Sequence, residues 1–326
     1  MTTRVKGASI NLVDILGAVS LMDMGPVGTD ITAAFNAAVL ANQPILIPEG
    51  TWVFSGAILP ANSLIIGMGL KSILKLKDAA NTTALVVGNS SFLKDFVIDC
   101  NKVNQVGANL HGLDLTNTQF ARIHNVKVLN PKGCGALYTG TCSDGELKDF
   151  ECSGYTNSGI VVSQGTNLTI INPHIHDSDP AATGDGIAIT SNGNAVTGLL
   201  LESPKIKSVT NRGISCIGSG TANVYDISIS NPRVFSTTTH GIHTFLARTI
   251  NINGGLVASA GGDGIRFEGD SQHCNAIGVT VRSCTGYGAR EVTNGATPNY
   301  NNIIYNHLLN SANNTPTKVG ANSVAI

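Results

Sequence analysis

Short apolar segments alternate with single glycines along most of the chain. The recurring unit is a variable residue, then a glycine, then an apolar residue. The glycines that carry it are Gly112, Gly135, Gly159, Gly186, Gly213, Gly241, Gly264 and Gly288. Successive members of this series are 23 to 28 residues apart. A repeat of this length that tolerates small insertions is typical of a solenoid.

The segments between the glycines are rich in strand-forming residues. Examples are residues 168–171, 199–201, 227–229, 250–252 and 279–281, and each ends near Asn, Ser, Pro or Gly. No repeat has room for a helix. Each unit therefore holds two or three short strands, which pair with their counterparts in the next unit. The pattern predicts an all-β fold, a single-stranded parallel β-helix.

Stacked coils lie about 4.8 Å apart, so equivalent residues of successive repeats form ladders along the axis. Residues one and three places after the repeat glycine are mostly apolar, and we expect them to point inward. Residues two and four places after it are expected to point outward. Accordingly, the predicted buried ladder consists of Ile160, Ile187, Ile214, Ile242 and Ile265.

The N-terminal region predicts one short amphipathic helix. Apolar residues at 31, 34, 35, 38 and 39 follow helical spacing. Thr29 or Asp30 can cap this helix, which should end near Asn42. A solenoid has an open apolar end, so we interpret the helix as its lid. We divide the chain into residues 1–60, with the N-terminal arm, capping helix and first strands, and residues 61–326, one continuous β-helix.

The composition narrows the function classes. The net charge is −1 and only 13% of residues are charged, against about 25% in an average domain. Neither nucleic acid nor an anionic membrane is therefore an expected partner. No apolar run reaches the length of about 20 residues that spans a membrane. The seven cysteines are scattered and contain no Cys-x-x-Cys pair, so we expect reduced packing residues.

The N-terminus is not recognised as a Sec signal peptide. Arg4 and Lys6 supply positive charge, but Asp14 interrupts the apolar stretch that follows. A small-residue cleavage site is also not evident.

Four short segments carry a resemblance to a known family. They are GTDITAAF at 28–35, IPEGTW at 47–52, LPA at 59–61 and GMG at 67–69. They resemble the opening of the pectate-lyase-like superfamily, in the branch of bacteriophage tailspikes and polysaccharide depolymerases, although Trp52 stands where Tyr is usual. The Asn-rich ending near 301–314 is similar as well.

The resemblance implies a right-handed β-helix that acts on, or grips, a long polysaccharide. It also implies a homotrimer on a virion tail or outside the cell. Fold does not fix function, so the site must come from the residues.

Ionisable residues concentrate on the outward ladders of the coils at 184–291. The candidate catalytic residues are His240, Asp263, Asp185 and Arg266. The candidate substrate-binding residues are Arg212, His243, Glu268, Arg290, Phe245 and Tyr287. In a chain this poor in charge, such a convergence is the strongest site signal. No metal or other cofactor is predicted there.

This mixture of side chains is suited to an acidic sugar. His240 or His243 can act as a base, and Arg212, Arg266 or Arg290 can hold a uronate carboxylate. The hypothesis is lyase or epimerase chemistry in which the Asp263 carboxylate orients His240 or raises its basicity.

Hydrolysis is an alternative. Asp185, the His240-Gly241 pair and Arg266 echo the pattern of polygalacturonases, but Asn211-Arg212 stands where an Asp-Asp pair is expected. Asp185 and Asp263 are three coils apart, about 14 Å, which is too far for a hydrolase pair.

Two alternatives without catalysis also remain. The first is a non-catalytic glycan-binding adhesin or tail-fibre protein, and the second is a purely structural salt-bridge ladder. Exposed aromatic residues are scarce on the ladders, which favours an enzyme over a binder.

A long corner at residues 173–180 is a second candidate site. His176, Asp177 and Asp179 are expected to reach Asp185 from it. Clustered His and Asp can bind a metal, but compact ligand spacing is missing, and a turn rich in Asx residues is the simpler interpretation.

Overall fold

The chain winds into a parallel β-solenoid of about 11 turns, as the glycine register predicts. The computed structural model describes residues 17–191, 193–219, 223–304, 307–309, 317–319 and 321–325. The predicted arm before residue 17 and the Asn-rich segment 310–316 lie outside the described residues. Each coil contributes strands to three faces, and every pairing between strands is parallel.

The first face is a 10-stranded sheet, and each strand in it from Leu113–Asp114 onward follows a repeat glycine. Its strands are Ala57–Ile58, Leu85–Val86, Leu113–Asp114, Ala136–Tyr138, Ile160–Val162, Ile187–Thr190, Ile214–Ile217, Ile242–Phe245, Ile265–Glu268 and Ala289–Val292.

The second and third faces form one sheet of 23 strands, joined by the long strands Phe92–Asp99 and Arg122–Leu129, which run across both. The second face also contains Val19–Ser20, Ile45–Ile47, Leu64–Gly67, Glu146–Lys148, Gly165–Thr166, Thr169–Ile171, Val196–Glu202, Val224–Ser230, Arg248–Asn253, Asn275–Ile277, Asn302–Ile304 and Val324–Ala325. The third face also contains Gly50–Phe54, Ser72–Leu76, Glu151–Ser153, His174–His176, Lys205–Val209, Arg233–Thr237, Leu256–Ala258, Thr280–Arg282 and His307–Leu309.

The bend between the second and third faces is made by single residues with left-handed backbone. In eight consecutive coils these have φ between 49° and 67° and are Asp95, Asn125, Asp149, Asn172, Ser203, Asn231, Gly254 and Gly278. Asn, Asp and Gly tolerate this conformation best. Some of their side chains also bond between coils, since the Asn125 amide donates to Asp95 Oδ1 at 2.7 Å.

The interior confirms the predicted isoleucine ladder. Ile160, Ile187, Ile214, Ile242 and Ile265 are paired in register and fully buried. On the second inward ladder, three places after the repeat glycine, the C-terminal coil has a buried charged residue, Glu291, beside Phe267. Its carboxylate accepts hydrogen bonds from the Asn301 side chain, the Ser323 hydroxyl and the Val319 N–H, at 2.8, 2.6 and 2.7 Å.

The predicted lid is the α-helix Thr32–Leu40. Asp30 Oδ1 accepts a hydrogen bond from the Thr32 N–H at 2.9 Å, so the predicted carboxylate serves the first turn even though Ile31 occupies the N-cap position. Phe35 packs edge-on against Phe54 of the first coils, with ring centroids 5.6 Å apart. The described residues also contain two short 3-10 helices, Leu21–Asp23 and Lys102–Asn104.

The seven cysteines and Trp52 lie in the interior. All seven cysteines are free and buried, which confirms that they are packing residues. Trp52 is fully buried, and its indole N–H donates to the Pro48 carbonyl at 3.1 Å. In the described part of the chain, no helix has both the length and the apolar character needed to cross a bilayer.

Candidate functional site

The residue before the repeat glycine has a structural task that the sequence does not reveal. Its side chain accepts a hydrogen bond from the backbone N–H of the equivalent residue one coil further. The bonds run from Cys134 to His111, from Asp185 to Ser158, from Arg212 to Asp185, from Asp263 to His240 and from Tyr287 to Asp263, with lengths of 2.9 to 3.1 Å. Because buried N–H groups need partners, these acceptors join successive coils.

This contact fixes the protonation of His240. The Asp263 N–H donates to Nδ1 of His240, so the ring is neutral and carries its proton on Nε2. Burial also lowers the pKa of His240, which favours the neutral form. The hydrogen bond to His240 comes from the Asp263 backbone and not from its carboxylate. The carboxylate oxygen Oδ2 lies 3.7 Å from Nδ1, and its charge acts against burial by raising the pKa of His240, as the sequence predicted.

The Asp263 carboxylate binds two arginines. Its Oδ2 accepts hydrogen bonds from Nε of Arg290 at 2.9 Å and from Nη1 of Arg266 at 3.3 Å. The Asp263 side chain is only 1% exposed. Its role in the structure is to position both guanidinium groups on the first face.

Glu268 is the second carboxylate bound by Arg266. Its Oε2 accepts from Nε of Arg266 at 2.7 Å and contacts Nε2 of His243 at 2.8 Å, while Oε1 accepts from Asn294 at 2.7 Å. Burial alone would raise the pKa of Glu268, but the hydrogen bonds from Arg266 and Asn294 lower it to about 2. Glu268 is therefore ionised at neutral pH.

His243 is on the predicted ladder beside Ser215 and Arg266. Its side chain is nevertheless only 5% exposed. Burial and the charge of Arg212 lower its pKa to about 4, so the ring is neutral. Since Nε2 faces the Glu268 carboxylate, it carries the proton. Nδ1 is then an unprotonated lone pair, and it is buried with no hydrogen-bond partner.

Asp185 and Arg212 form a second group, on the two coils that precede the coil of His240 and His243. Oδ2 of Asp185 accepts from the Ser215 hydroxyl at 2.5 Å and lies 3.6 Å from Nη1 of Arg212. Burial raises the pKa of Asp185. Nε of Arg212 is buried without a partner.

The two predicted aromatic residues flank these groups. Tyr287 lies under the Arg290 guanidinium, 4.3 Å from the ring centroid. The rings of Phe245 and His243 are 6.5 Å apart. The strand register thus brings the ten predicted residues onto neighbouring coils. We call the ionisable ones the charged cluster: Asp185, Arg212, His240, His243, Asp263, Arg266, Glu268 and Arg290.

In the charged cluster, most side chains with N–H donors are more exposed than the carboxylates of Asp185 and Asp263. The carboxylates of Asp185 and Asp263 are 6% and 1% exposed, whereas Arg212, Arg290 and His240 are 28%, 29% and 19% exposed. The accessible groups carry N–H donors, and the carboxylates beneath them set their positions. The accessible part of the charged cluster thus presents mainly hydrogen-bond donors.

The predicted contact between the long corner and Asp185 is not found among the described residues. Part of it is the strand His174–His176, and His176 contacts Glu151 at 3.0 Å and Asp177 at 2.8 Å. The Asp179 carboxylate pairs with Lys102 at 2.5 Å. Among the described residues, these side chains thus bond to groups other than Asp185.

One group near this corner has the donor set for a metal ion. Ligand atoms of Glu151, His174 and His176 lie within 4.8 Å of one another. Glu151 is also ion-paired with Lys127, whose Nζ lies 2.6 Å from Oε1. A metal ion would therefore compete with the Lys127 ammonium group for this carboxylate.

Comparison with known proteins identifies relatives of two kinds. Residues 19–231 match the family model described as rhamnogalacturonase A/epimerase, pectate lyase-like. The pre-neck appendage protein of Bacillus phage phi29 is 25% identical over 194 residues, which cover 49% of this chain and 23% of that protein. The chain thus spans about a quarter of the length of the curated relatives it matches.

Solved structures share the fold. The A-module of the mannuronan C-5 epimerase AlgE4 from Azotobacter vinelandii has a TM-score of 0.68 at 15% identity, covering 94% of this chain and 99% of that chain. Gene product 12 of phage phi29 has a TM-score of 0.75 at 17% identity, covering 94% and 51%. With the family match over residues 19–231, this places the chain in the pectate lyase-like rhamnogalacturonase A/epimerase family.

Proposed function

We propose that the chain binds an acidic polysaccharide across the charged cluster and removes a proton beside the sugar carboxylate, as lyases and epimerases do. The observation that carries this proposal is the layering of the cluster. Its accessible groups are donors from Arg212, Arg290 and His240, and its carboxylates are buried. Guanidinium groups bind carboxylates with high geometric specificity.

The role of base falls to His243 in this proposal. Glu268 holds the proton on Nε2, which leaves the lone pair of Nδ1 to take the proton from the carbon that bears the carboxylate. In a lyase, the electron pair left on carbon forms a carbon–carbon double bond, and the oxygen of the next sugar leaves with a proton taken from water. In an epimerase, the same carbon takes a proton from water on the opposite side of the ring. An arginine beside the carboxylate stabilises the charge that develops in either case.

In this proposal His240 binds the substrate, and His243 is the base. Its Nδ1 is occupied by the Asp263 N–H, so the neutral ring offers only the Nε2 proton. A hydrogen bond from Nε2 to a sugar oxygen positions the substrate and does not require proton transfer. This makes His240 a binding group beside the base.

The relatives support a polysaccharide-related function. The family model is named for a rhamnogalacturonase and an epimerase, and one structural neighbour is a mannuronan C-5 epimerase. The similarity to phage pre-neck appendage proteins supports a location on a virion tail. A homotrimer is part of the same proposal.

Glycan binding without catalysis is the second candidate. The observation that favours it is the burial of His243 Nδ1 together with a pKa of about 4. A ring that is covered and weakly basic fits a packing and orienting role. In that case Arg212, Arg290 and His240 would contact the glycan without proton transfer.

The test measures proton removal directly. The protein is incubated in D2O with polygalacturonate, alginate and a neutral dextran. Deuterium at the carbon bearing the carboxylate is followed by NMR, unsaturated product by ultraviolet absorbance, and cleavage by new reducing ends. We expect deuterium incorporation or unsaturated ends with an acidic glycan only. Reducing ends without unsaturation would indicate hydrolysis, and binding without any exchange would leave the non-catalytic candidate.

Variants assign the roles. His243→Gln should lower turnover by about 100-fold, the range of a lost acid–base group, with little change in binding. Arg290→Ala should weaken binding. Thr190→Ala, on an outward position of the Asp185 coil, is the matched control and should be nearly silent. Full turnover by the His243 variant would remove this residue from the mechanism.

A further inference from the structure

A second charged surface lies on the third face of the solenoid. The register aligns two columns of outward side chains, one of His174, Lys205 and Arg233 and one of His176, Lys207 and Phe235. The residues between them in each strand, Ile175, Ile206 and Val234, are buried. We call the outward set of Lys205, Lys207, Arg233 and His174 the basic strip.

Within the described part of the chain, the cations of the basic strip have no carboxylate partners. Lys205, Lys207 and Arg233 are exposed, and among the described residues none of them forms an ion pair. Arg233 lies over the Phe235 ring at 5.9 Å from its centroid. This contrasts with the charged cluster, where each arginine contacts a carboxylate.

Two carboxylates on this face bond to other groups. Glu151 contacts Lys127 at 2.6 Å and His176 at 3.0 Å. Asp177 contacts the other nitrogen of His176 at 2.8 Å. Among the described residues, neither carboxylate forms an ion pair with Lys205 or Lys207.

The arrangement is unfavourable without a counter-charge. Lys205 and Arg233 are directly paired neighbours on adjacent strands, and like charges in this relation destabilise a sheet. The chain carries few charges overall, so their accumulation here is not a by-product of composition. An anion placed along the columns would relieve the repulsion.

The surface also has a matching shape. A shallow cavity of about 230 Å³ is lined by His174, Lys205, Ile206, Lys207, Arg233 and Phe235. The cations lie on two adjacent coils, Lys205 and Lys207 on one and Arg233 on the next, about 4.8 Å apart along the axis. This repeat is comparable to the length of one sugar residue in an extended polysaccharide. A polymer with an acidic group on each residue can therefore place successive charges on successive coils.

We propose that the basic strip is a binding site for an anionic glycan chain, separate from the charged cluster. Its ligand groups are carboxylate, sulfate or phosphate groups repeated along the polymer, held by Lys205, Lys207 and Arg233. The ring edge of Phe235 offers an apolar contact for a sugar. The inference does not depend on the proposed chemistry, because binding here is measured without turnover.

The experiment compares two double variants of the full chain that lose the same charge. Lys205→Ala/Lys207→Ala removes two members of the strip. Lys71→Ala/Lys148→Ala removes two exposed lysines elsewhere, one of them 81% exposed. Affinity for polygalacturonate, dextran sulfate and polyphosphate is measured by calorimetry at low ionic strength, with neutral dextran as the uncharged polymer. The three polyanions distinguish carboxylate, sulfate and phosphate as the preferred group.

We expect the strip variant to bind its preferred polyanion about tenfold more weakly than the parent, which corresponds to about 1.4 kcal/mol for the two lysines together. The control variant and neutral dextran should show no comparable change. The proposal is overturned if the parent binds no polyanion, or if both double variants lose affinity equally.

Two further measurements can also overturn the proposal. Abolition of binding by a chelator would show that a metal at Glu151, His174 and His176 holds the ligand instead. A changed oligomer mass in the strip variant, measured by sedimentation, would show that the face contacts another copy of the chain. Unchanged binding with chelator and an unchanged mass both support the basic strip as the site.

Discussion

The contacts of Glu268 allow a quantitative prediction for the substitution Glu268→Gln. Three donors converge on this carboxylate, from Arg266, His243 and Asn294, at 2.7 to 2.8 Å. Glutamine has nearly the same shape but presents one oxygen and one NH2 group. If the oxygen faces Arg266 and His243, the Asn294 amide must turn to offer its own oxygen.

The expected loss of stability comes from the bonds with His243 and Asn294, because in the variant each of these becomes a hydrogen bond between two neutral groups. Hydrogen bonds to charged groups contribute about 1.5–3 kcal/mol and neutral ones about 0.5–1.5 kcal/mol. Two weakened bonds therefore lower the free energy of unfolding by about 2–3 kcal/mol. The pH dependence has a definite sign. The pKa of Glu268 is lowered from 4.5 to about 2 on folding, so its stabilisation is present above pH 4.5 and is lost as the pH falls toward 2.

The assay is urea unfolding of the parent and the variant at a series of pH values. The difference in free energy should be full at neutral pH and should shrink between pH 4.5 and 2. Glu49→Gln is the matched control, because Glu49 is 59% exposed and lies 3.9 Å from Lys71. Exposed pairs of this kind contribute about 0–1 kcal/mol.

Two outcomes would refute the reasoning. Equal, small effects of the two substitutions would mean that the Glu268 contacts are not formed in solution. A large effect at neutral pH that persists unchanged at pH 2 would mean that packing, and not the charge, is what the substitution removes.

Three other predictions address the core, the buried histidine and the assembly. Ile214→Asp should lower the free energy of unfolding by several kcal/mol because it buries an unpaired charge. Ile217→Asp, at a half-buried position of the same strand, should lower it clearly less, and equal unfolding midpoints of the two variants in urea would contradict the buried ladder. His243 has its pKa lowered from 6.5 to about 4, so the parent should lose stability as the pH falls from 6.5 to 4, and His243→Gln should flatten the profile in that window when unfolding is followed by circular dichroism. Light scattering at micromolar concentration should give the mass of a trimer, and a mass near 33.7 kDa would count against it.

The solenoid could be predicted because its periodic signals are redundant. The glycine register fixes which residues point inward, and Ile187, Ile214 and Ile242 then follow without further information. A strand pairs with its counterpart one repeat later, so sequence spacing converts directly into neighbours. The same logic placed His243 beside Arg266 and Arg266 beside Arg290.

Burial and hydrogen bonding on the outer surface could not be predicted in this way. Whether His243 is covered depends on the length and rotamers of side chains on adjacent coils, which a ladder does not specify. The acceptor role of Ser158, Asp185 and His240 was missed because the orphan backbone N–H belongs to the next coil. A signal was present, since Asp, Ser and His recur before the repeat glycine. These residue types are hydrogen-bond acceptors, but they are equally typical of catalytic sites.

The one-residue corner between the second and third faces restricts where the chain can change length. From this corner to the next repeat glycine the count is 10 residues in six coils, with longer segments after Asp95 and Asn172. From the glycine to the following corner it varies from 13 to 18. Additional residues therefore enter only at the two margins of the first face. In evolutionary terms the architecture is divided: the walls beside the charged cluster can be rebuilt by insertion while the stacked interior keeps its register.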